Sequence, residues 1–194
     1  MKLTVTLQEE YSRGELLLRS FFGFLYIMFP HAFLLLFFGI WGSILSFISF
    51  WIILFTGRYP ESFFEFQVKL MRWQLRLNAR MYNLVDDYPS FGLDGTDELT
   101  SLEIPYPENL GRGHLLLKAF FGWLYCALPH VFVLYFRLLA TMVVSFLAWW
   151  IVLFTGKFPE GMHGFITGTL RWGTRLGLYL GNMTDEYPPF SGRE

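Results

Sequence analysis

Two histidines recur in matched surroundings, and imidazole is the side chain best suited to holding haem iron or a metal ion. His31 follows Pro30 and His130 follows Pro129, each inside a long apolar run. Facing each other across a twofold axis, they would supply axial nitrogens to a haem or two ligands to a metal. No Cys/His cluster and no carboxylate accompanies them to complete a metal shell. The simpler chemistry of Pro-His at a helix interruption is capping, because proline leaves backbone groups unbonded and an imidazole can reach them. Capping is the reading adopted; no cofactor or metal is expected, with His31 and His130 as the residual ligand candidates. Arg137 is the second candidate. It stands where the first half of the chain has Phe38, and a charge inside an apolar run is a functional-site hypothesis by default. Its partners would be a carboxylate of another subunit, a lipid phosphate, or, by snorkelling, the membrane interface. Thr56-Gly57-Arg58-Tyr59-Pro60-Glu61 reads as a helix stop, an interfacial cation and a helix start. No nucleophile–base pair, phosphate loop or metal spacing occurs, so an enzyme is not expected.

These residues must be positioned by a chain that states itself twice, at an offset of 99 residues. Phe21-Phe22-Gly23 returns as Phe120-Phe121-Gly122, and Arg72-Trp73 as Arg171-Trp172. Asp86-Asp87-Tyr88-Pro89-Ser90-Phe91 returns as Asp185-Glu186-Tyr187-Pro188-Pro189-Phe190. Of the 194 residues, 54% are hydrophobic and 21% aromatic, well above a soluble domain's aromatic share. Leu16 to Phe55 carries one charge, Arg19, and Leu115 to Phe154 carries two, Lys118 and Arg137. Each run far exceeds the roughly 20 residues of one bilayer crossing, so an integral membrane protein is expected. A net charge of −1 gives no support to a nucleic-acid role. Cys126 reads as a small buried hydrophobe, and the N-terminus does not resemble a cleavable signal.

Within one repeat, Leu3, Val5 and Leu7 alternate with polar residues, as do Leu102, Ile104 and Tyr106. This predicts a short strand per repeat, the two copies pairing outside the membrane. Residues 15–29 form a helix of about 22 Å, Pro30 interrupts it, and 32–55 form another of about 36 Å that ends at Gly57. An even number of crossings keeps the matched surface sequences in one compartment and gathers 14 of the 15 Lys and Arg on one side, the cytoplasmic one. The alternative is that 15–29 lie flat and only 32–55 cross. The helix that follows is amphipathic. Lys69, Arg72, Arg76 and Arg80 share one face, as Arg171 and Arg175 do in the second copy, and these cations are assigned to anionic headgroups in the interface. Gly173, Gly177 and Gly181 form a smooth stripe where the first copy has Gln74, Asn78 and Tyr82, a contact face for another helix or for the protein's own hairpin.

The expected fold is all-α integral membrane, with two parallel repeats. Each is a Pro-broken transmembrane hairpin followed by an interfacial amphipathic helix, with a short N-terminal strand. Repeat 1 covers 1–95, with its hairpin at 14–56 and its amphipathic helix at 60–84. A solvated acidic linker and strand occupy 96–111. Repeat 2 covers 100–194, with hairpin 113–155 and amphipathic helix 159–183.

The pattern Ala127-Leu128-Pro129-His130, Leu153-Phe154-Thr155-Gly156-Lys157-Phe158-Pro159-Glu160, Leu170-Arg171-Trp172 and Thr184-Asp185-Glu186-Tyr187-Pro188-Pro189-Phe190 resembles a tandem-repeat bacterial membrane family known only as a domain of unknown function. The resemblance covers essentially the whole chain and departs at Ser90, where the pattern prefers Pro. It implies the class and brings no activity. The expected role is a non-catalytic scaffold or accessory subunit of an inner-membrane assembly, its partners being lipids and other membrane subunits or a second copy. A membrane-curvature or lipid-organising protein, and a small transporter or channel component, are the alternatives. The expected topology is multi-pass in the bacterial inner membrane, with termini and amphipathic helices cytoplasmic.

Overall fold

The computed structural model describes residues 1–193. Its elements run β1 (Lys2–Val5), α1 (Arg13–Gly23), α2 (Phe29–Thr56), α3 (Glu61–Met81), β2 (Thr100–Glu103), α4 (Arg112–Gly122), α5 (Leu128–Thr155) and α6 (Glu160–Leu180). A single π-helical turn, Phe24–Met28, joins α1 to α2, and its equivalent, Trp123–Ala127, joins α4 to α5.

The Pro-broken hairpins at 14–56 and 113–155 are not present. Arg13–Thr56 and Arg112–Thr155 are each one uninterrupted helix of 44 residues, about 66 Å at ~1.5 Å per residue. Proline normally breaks a helix because it lacks an N–H and its ring clashes with the carbonyl four residues back. Here the ladder widens just before the proline: the Phe29 N–H bonds to Phe24 O, five residues back. This wider turn makes room for the Pro30 ring. The carbonyl that Pro30 cannot serve, that of Tyr26, accepts instead from the Tyr88 hydroxyl at 2.9 Å, and Tyr125 O accepts from the Tyr187 hydroxyl at 3.2 Å.

Both helices are long and apolar enough to cross a membrane, with mean hydropathies of 2.1 and 2.2. They lie antiparallel, and each starts on the end of the other. Arg13 donates to Phe154 O and the Tyr11 N–H to Gly156 O; Arg112 donates to Phe55 O and the Leu110 N–H to Gly57 O. These contacts pair off by the 99-residue offset, so the repeats are related by an approximate twofold axis. Gly57 and Gly156 end the rods in the left-handed conformation, φ 74° in both, which places their N–H on the carbonyl four residues back.

From Gly57 the chain turns back, and α3 runs antiparallel along α2. Gln67 bonds Gly42 O at 2.6 Å, Phe38 packs on both Phe66 and Trp73, and Trp73 reaches His31. The amphipathic helices are shorter than 60–84 and 159–183 because Asn83 and Asn182, with positive φ, turn the chain out of the helix. The strands pair antiparallel with Leu3 opposite Leu102, and Leu3, Val5 and Leu102 are buried, as the alternation predicts. Ile104 and Tyr106 fall beyond β2. The linker is not simply solvated: Asp86 is buried, and the Asp97 side chain, 6% exposed, pairs with Arg80 of α3.

The result is a layered body. Inner faces of the rods, with Leu16, Ile53, Leu115 and Val152, pack under α3 and α6. Their outer faces expose Phe21, Phe29, Phe33, Phe47 and Phe55 in turn, 74% at the first and 73% at the last, so the apolar exterior runs from tip to tip. The opposite side of α3 exposes Glu61, Glu65 and Arg72.

Candidate functional site: paired histidine cages and an inward arginine ladder

Each Pro-His pair brings an imidazole to the inner face of its rod, where three rings close around it. Trp73 Nε1 donates to His31 Nδ1 at 2.8 Å, and Trp172 Nε1 to His130 Nδ1 at 2.9 Å. Phe91 stacks on His31 with centroids 3.9 Å apart, and Phe190 on His130 at 3.8 Å. Tyr88 and Tyr187 complete the cages at 5.4 Å. An imidazole that accepts at Nδ1 has its lone pair there, so both rings are neutral with the proton on Nε2. Both histidines are fully buried, and neither Nε2 has a hydrogen-bond partner.

One expectation changes and one alternative lacks its geometry. The histidines do not cap the freed backbone; the Tyr88 and Tyr187 hydroxyls do, because the tyrosine lies directly over the carbonyl that proline leaves open. Nor do the imidazoles face one another to share a ligand: each is enclosed by its own repeat's rings. Among the described residues, no three His, Cys, Asp or Glu side chains gather as a metal site. What the cage does physically is tie three distant segments, the proline turn, α3 or α6, and the Tyr-Pro tail, to a single ring.

The cationic stripe assigned to headgroups turns inward at Arg76, Arg80 and Arg171. Arg76 and Arg80 are 3% exposed and Arg171 8%. Arg76 donates to Ser90 O and Gly92 O, Arg72 to Leu102 O, and Arg80 forks onto Asp97. Arg171 donates to Gly192 O and Leu3 O, and Arg175 to Ser191 O and Arg193 O. A buried guanidinium needs such acceptors for its five donors, and the returning chain supplies them. Arg72 stays exposed and Lys69 and Arg175 half-exposed, Lys69 against Asp94 at 2.6 Å. Burial opposes the charge on Asp97, but Arg80, Thr100 and the Leu99 N–H outweigh it and hold the carboxyl below its usual range.

Arg137 has no carboxylate partner among the described residues. It donates to Thr169 Oγ1 at 3.0 Å and Phe165 O at 3.1 Å, and lies 4.4 Å over the Phe165 ring. It therefore clamps α5 to α6. Gly173 faces open space, Gly177 lies where a Cβ would stand 3.7 Å from Met71, and Gly181 closes α6. Gln74 and Asn78 line the opposite side of the same cavity, about 310 Å³. The glycine stripe and its polar counterparts thus face each other across the twofold axis.

Reading the sequence missed one matched pair. Arg19 binds Asp86 at 2.6 Å and Lys118 binds Asp185 at 2.9 Å, tying each rod to the end of its own returning helix. The signal was present: cation and carboxylate recur together at the 99-residue offset. Asp185 is held below the usual carboxylate range, because the Gly111 N–H and Lys118 prevail over its burial.

With this geometry in place, the sequence profile of a domain of unknown function, DUF4389, matches the chain twice, over residues 16–92 and 118–192. The protein belongs to the DUF4389 family. Each DUF4389 match begins in a rod and ends just past a cage phenylalanine, so one repeat of the family equals one rod, one returning helix and one caged histidine. No significant match is found among curated proteins or among solved structures.

Proposed function

We propose that this DUF4389 protein is a non-catalytic scaffold embedded in one leaflet of a bacterial inner membrane, on the cytoplasmic side, with both rods lying in the membrane plane. One observation carries the reading: α3 keeps charged residues, Glu61 to Arg72, in water while packed along α2, whose opposite face is bare hydrocarbon. A helix with water along one side and lipid along the other lies parallel to the interface. The rod length agrees, since about 66 Å is twice a ~30 Å hydrocarbon core. The tips agree as well: Arg13, Arg58, Arg112 and Lys157 are exposed at both ends, where they meet anionic headgroups. Lipid contact thereby passes from the α3 and α6 arginines to these four cations. Flat rods also keep the positive charge on one side, as the charge rule asks.

The test is thiol labelling of Arg58→Cys and Lys157→Cys in sealed vesicles, in a Cys126→Ser background. Both positions should react from the same face. Antiparallel rods that crossed the bilayer would place the two on opposite faces, and that result refutes the reading. A lipid-organising role is favoured by the one-sided insertion, which adds volume to a single leaflet. Vesicles at high protein-to-lipid ratio should then shrink or tubulate, and unchanged size leaves the scaffold role alone.

A further inference from the structure

Arg137 is the single charged residue of α5. Its Nε and Nη2 bond Thr169 Oγ1 and Phe165 O, while Nη1 bonds nothing among the described residues. The side chain is half-buried. The fold does not need a cation at this position: Phe38 holds the same place in repeat 1 and packs on Phe66 and Trp73. The surroundings have changed with the arginine. Gly164, Gly168 and Gly192 stand where repeat 1 has Glu65, Lys69 and Leu93. A Cβ on Gly168 would lie 2.9 Å from Arg137 Nη2, and one on Gly192 2.7 Å from it, so both glycines make room for the guanidinium. Gly164 lies one turn before Gly168 on the same face, and it removes the carboxylate that repeat 1 carries there.

We infer that Arg137 holds the phosphate of one anionic phospholipid. A half-buried cation without a carboxylate among the described residues is satisfied by an anion from outside the chain. Its position selects the source. Arg137 sits in the seam between α6 and α5, whose far side is bare hydrocarbon. With the rods flat in one leaflet, that seam lies at the depth of the headgroups. Phe136 and Leu138 beside it are exposed, so the lipid-contacting face of the rod reaches the site and receives the acyl chains. Nη1 offers its two N–H donors to the phosphate oxygens, a charge-assisted contact that guanidinium makes well. Repeat 1, with Phe38, has no equivalent, so the molecule takes this lipid on one repeat only. The inference rests on the scaffold's flat placement and deepens it by naming a bound lipid.

The experiment titrates the full chain, delipidated in a neutral detergent, with dioctanoyl phosphatidylglycerol and counts bound lipids by native mass spectrometry. The parent should retain one more lipid than Arg137→Phe, which copies repeat 1, and its first site should be about tenfold tighter. Gly164→Glu restores the carboxylate beside the arginine and should weaken that site by a comparable factor. An added Cβ there meets nothing within 4 Å, so this loss cannot arise from misfolding. The site stands only if both variants lose the lipid; retention by either overturns it. Equal binding of dioctanoyl phosphatidylcholine overturns it too. So does full displacement by inorganic phosphate, which makes the ligand a free anion, or a co-purifying membrane protein held through Arg137 in the lipid's place, which makes it a partner's carboxylate. Labelling from opposite faces with the lipid still bound overturns the flat placement alone. Lost binding with labelling from one face overturns this site alone.

Discussion

Repeats 1 and 2 agree where they bend and diverge where they face one another. Both use proline, histidine, tryptophan, tyrosine and phenylalanine at matched positions to build the cage, and both rods close with the same glycine and the same arginine contact. The pairing of each rod with its returning helix is solved differently. Repeat 1 uses Gln67, whose amide reaches Gly42 O at 2.6 Å and Ser46 at 2.8 Å, with Gly42 leaving the room: an added Cβ would meet Gln67 Oε1 at 3.2 Å. Repeat 2 uses Arg137 and a Thr141–Thr169 contact at 3.0 Å. The duplicated part is therefore bending and closure, which a shared fold demands. The diverged part is the central cavity, where one copy was free to change.

The cages should give the largest effect, and the same one in both repeats. Trp73→Ala and Trp172→Ala each remove a buried indole and leave a histidine without its donor, at a cost of about 3–5 kcal/mol. Thermal unfolding in detergent measures both. A loss confined to one repeat would break the equivalence. The ion pairs sharpen the contrast. Asp86→Ala strands Arg19 and Asp185→Ala strands Lys118, cations equally buried at 4% and 3%, but the carboxylate sites they face are 10% and 24% open. The first should cost about 3 kcal/mol and the second about half that, because water reaches the second pair. Equal losses would show that solvent access does not separate the two sites. The glycine stripe gives the smallest effect. Gly173→Ala meets nothing within 4 Å, so it should stabilise α6 by up to about 1 kcal/mol through helix propensity. Destabilisation, or loss of a self-associated species on sizing, would mean that the stripe carries a contact the single chain does not contain.

Much of this was legible in the sequence. The duplication, the two apolar runs, the Gly57 and Gly156 stops and the pairing of one short strand with the other all follow from sequence pattern, though the register does not. The cage was legible only as ingredients. Pro-His, Arg-Trp and Tyr-Pro-x-Phe recur as blocks, but His31 and Trp73 lie 42 residues apart and periodicity does not say that they meet. Pro30 misled because its usual penalty is local, whereas the Tyr88 hydroxyl that relieves it comes from 58 residues downstream. The arginines misled for a related reason: helical spacing puts Arg72, Arg76 and Arg80 on one face without saying what covers it. Residues 90–102 cover it, and the backbone carbonyls that receive Arg72 and Arg76 carry no sequence signal.

The exchanged tips carry a consequence for how such a protein arises. Arg13 and Tyr11 finish the rod of the other repeat, and Arg112 and Leu110 return the favour. Neither half of the polypeptide can complete its own rod. A single-unit ancestor would have had to work as a symmetric homodimer, each subunit sealing its twin. Joining the two by residues 92–99 made that partnership permanent and released the two halves from having to remain alike.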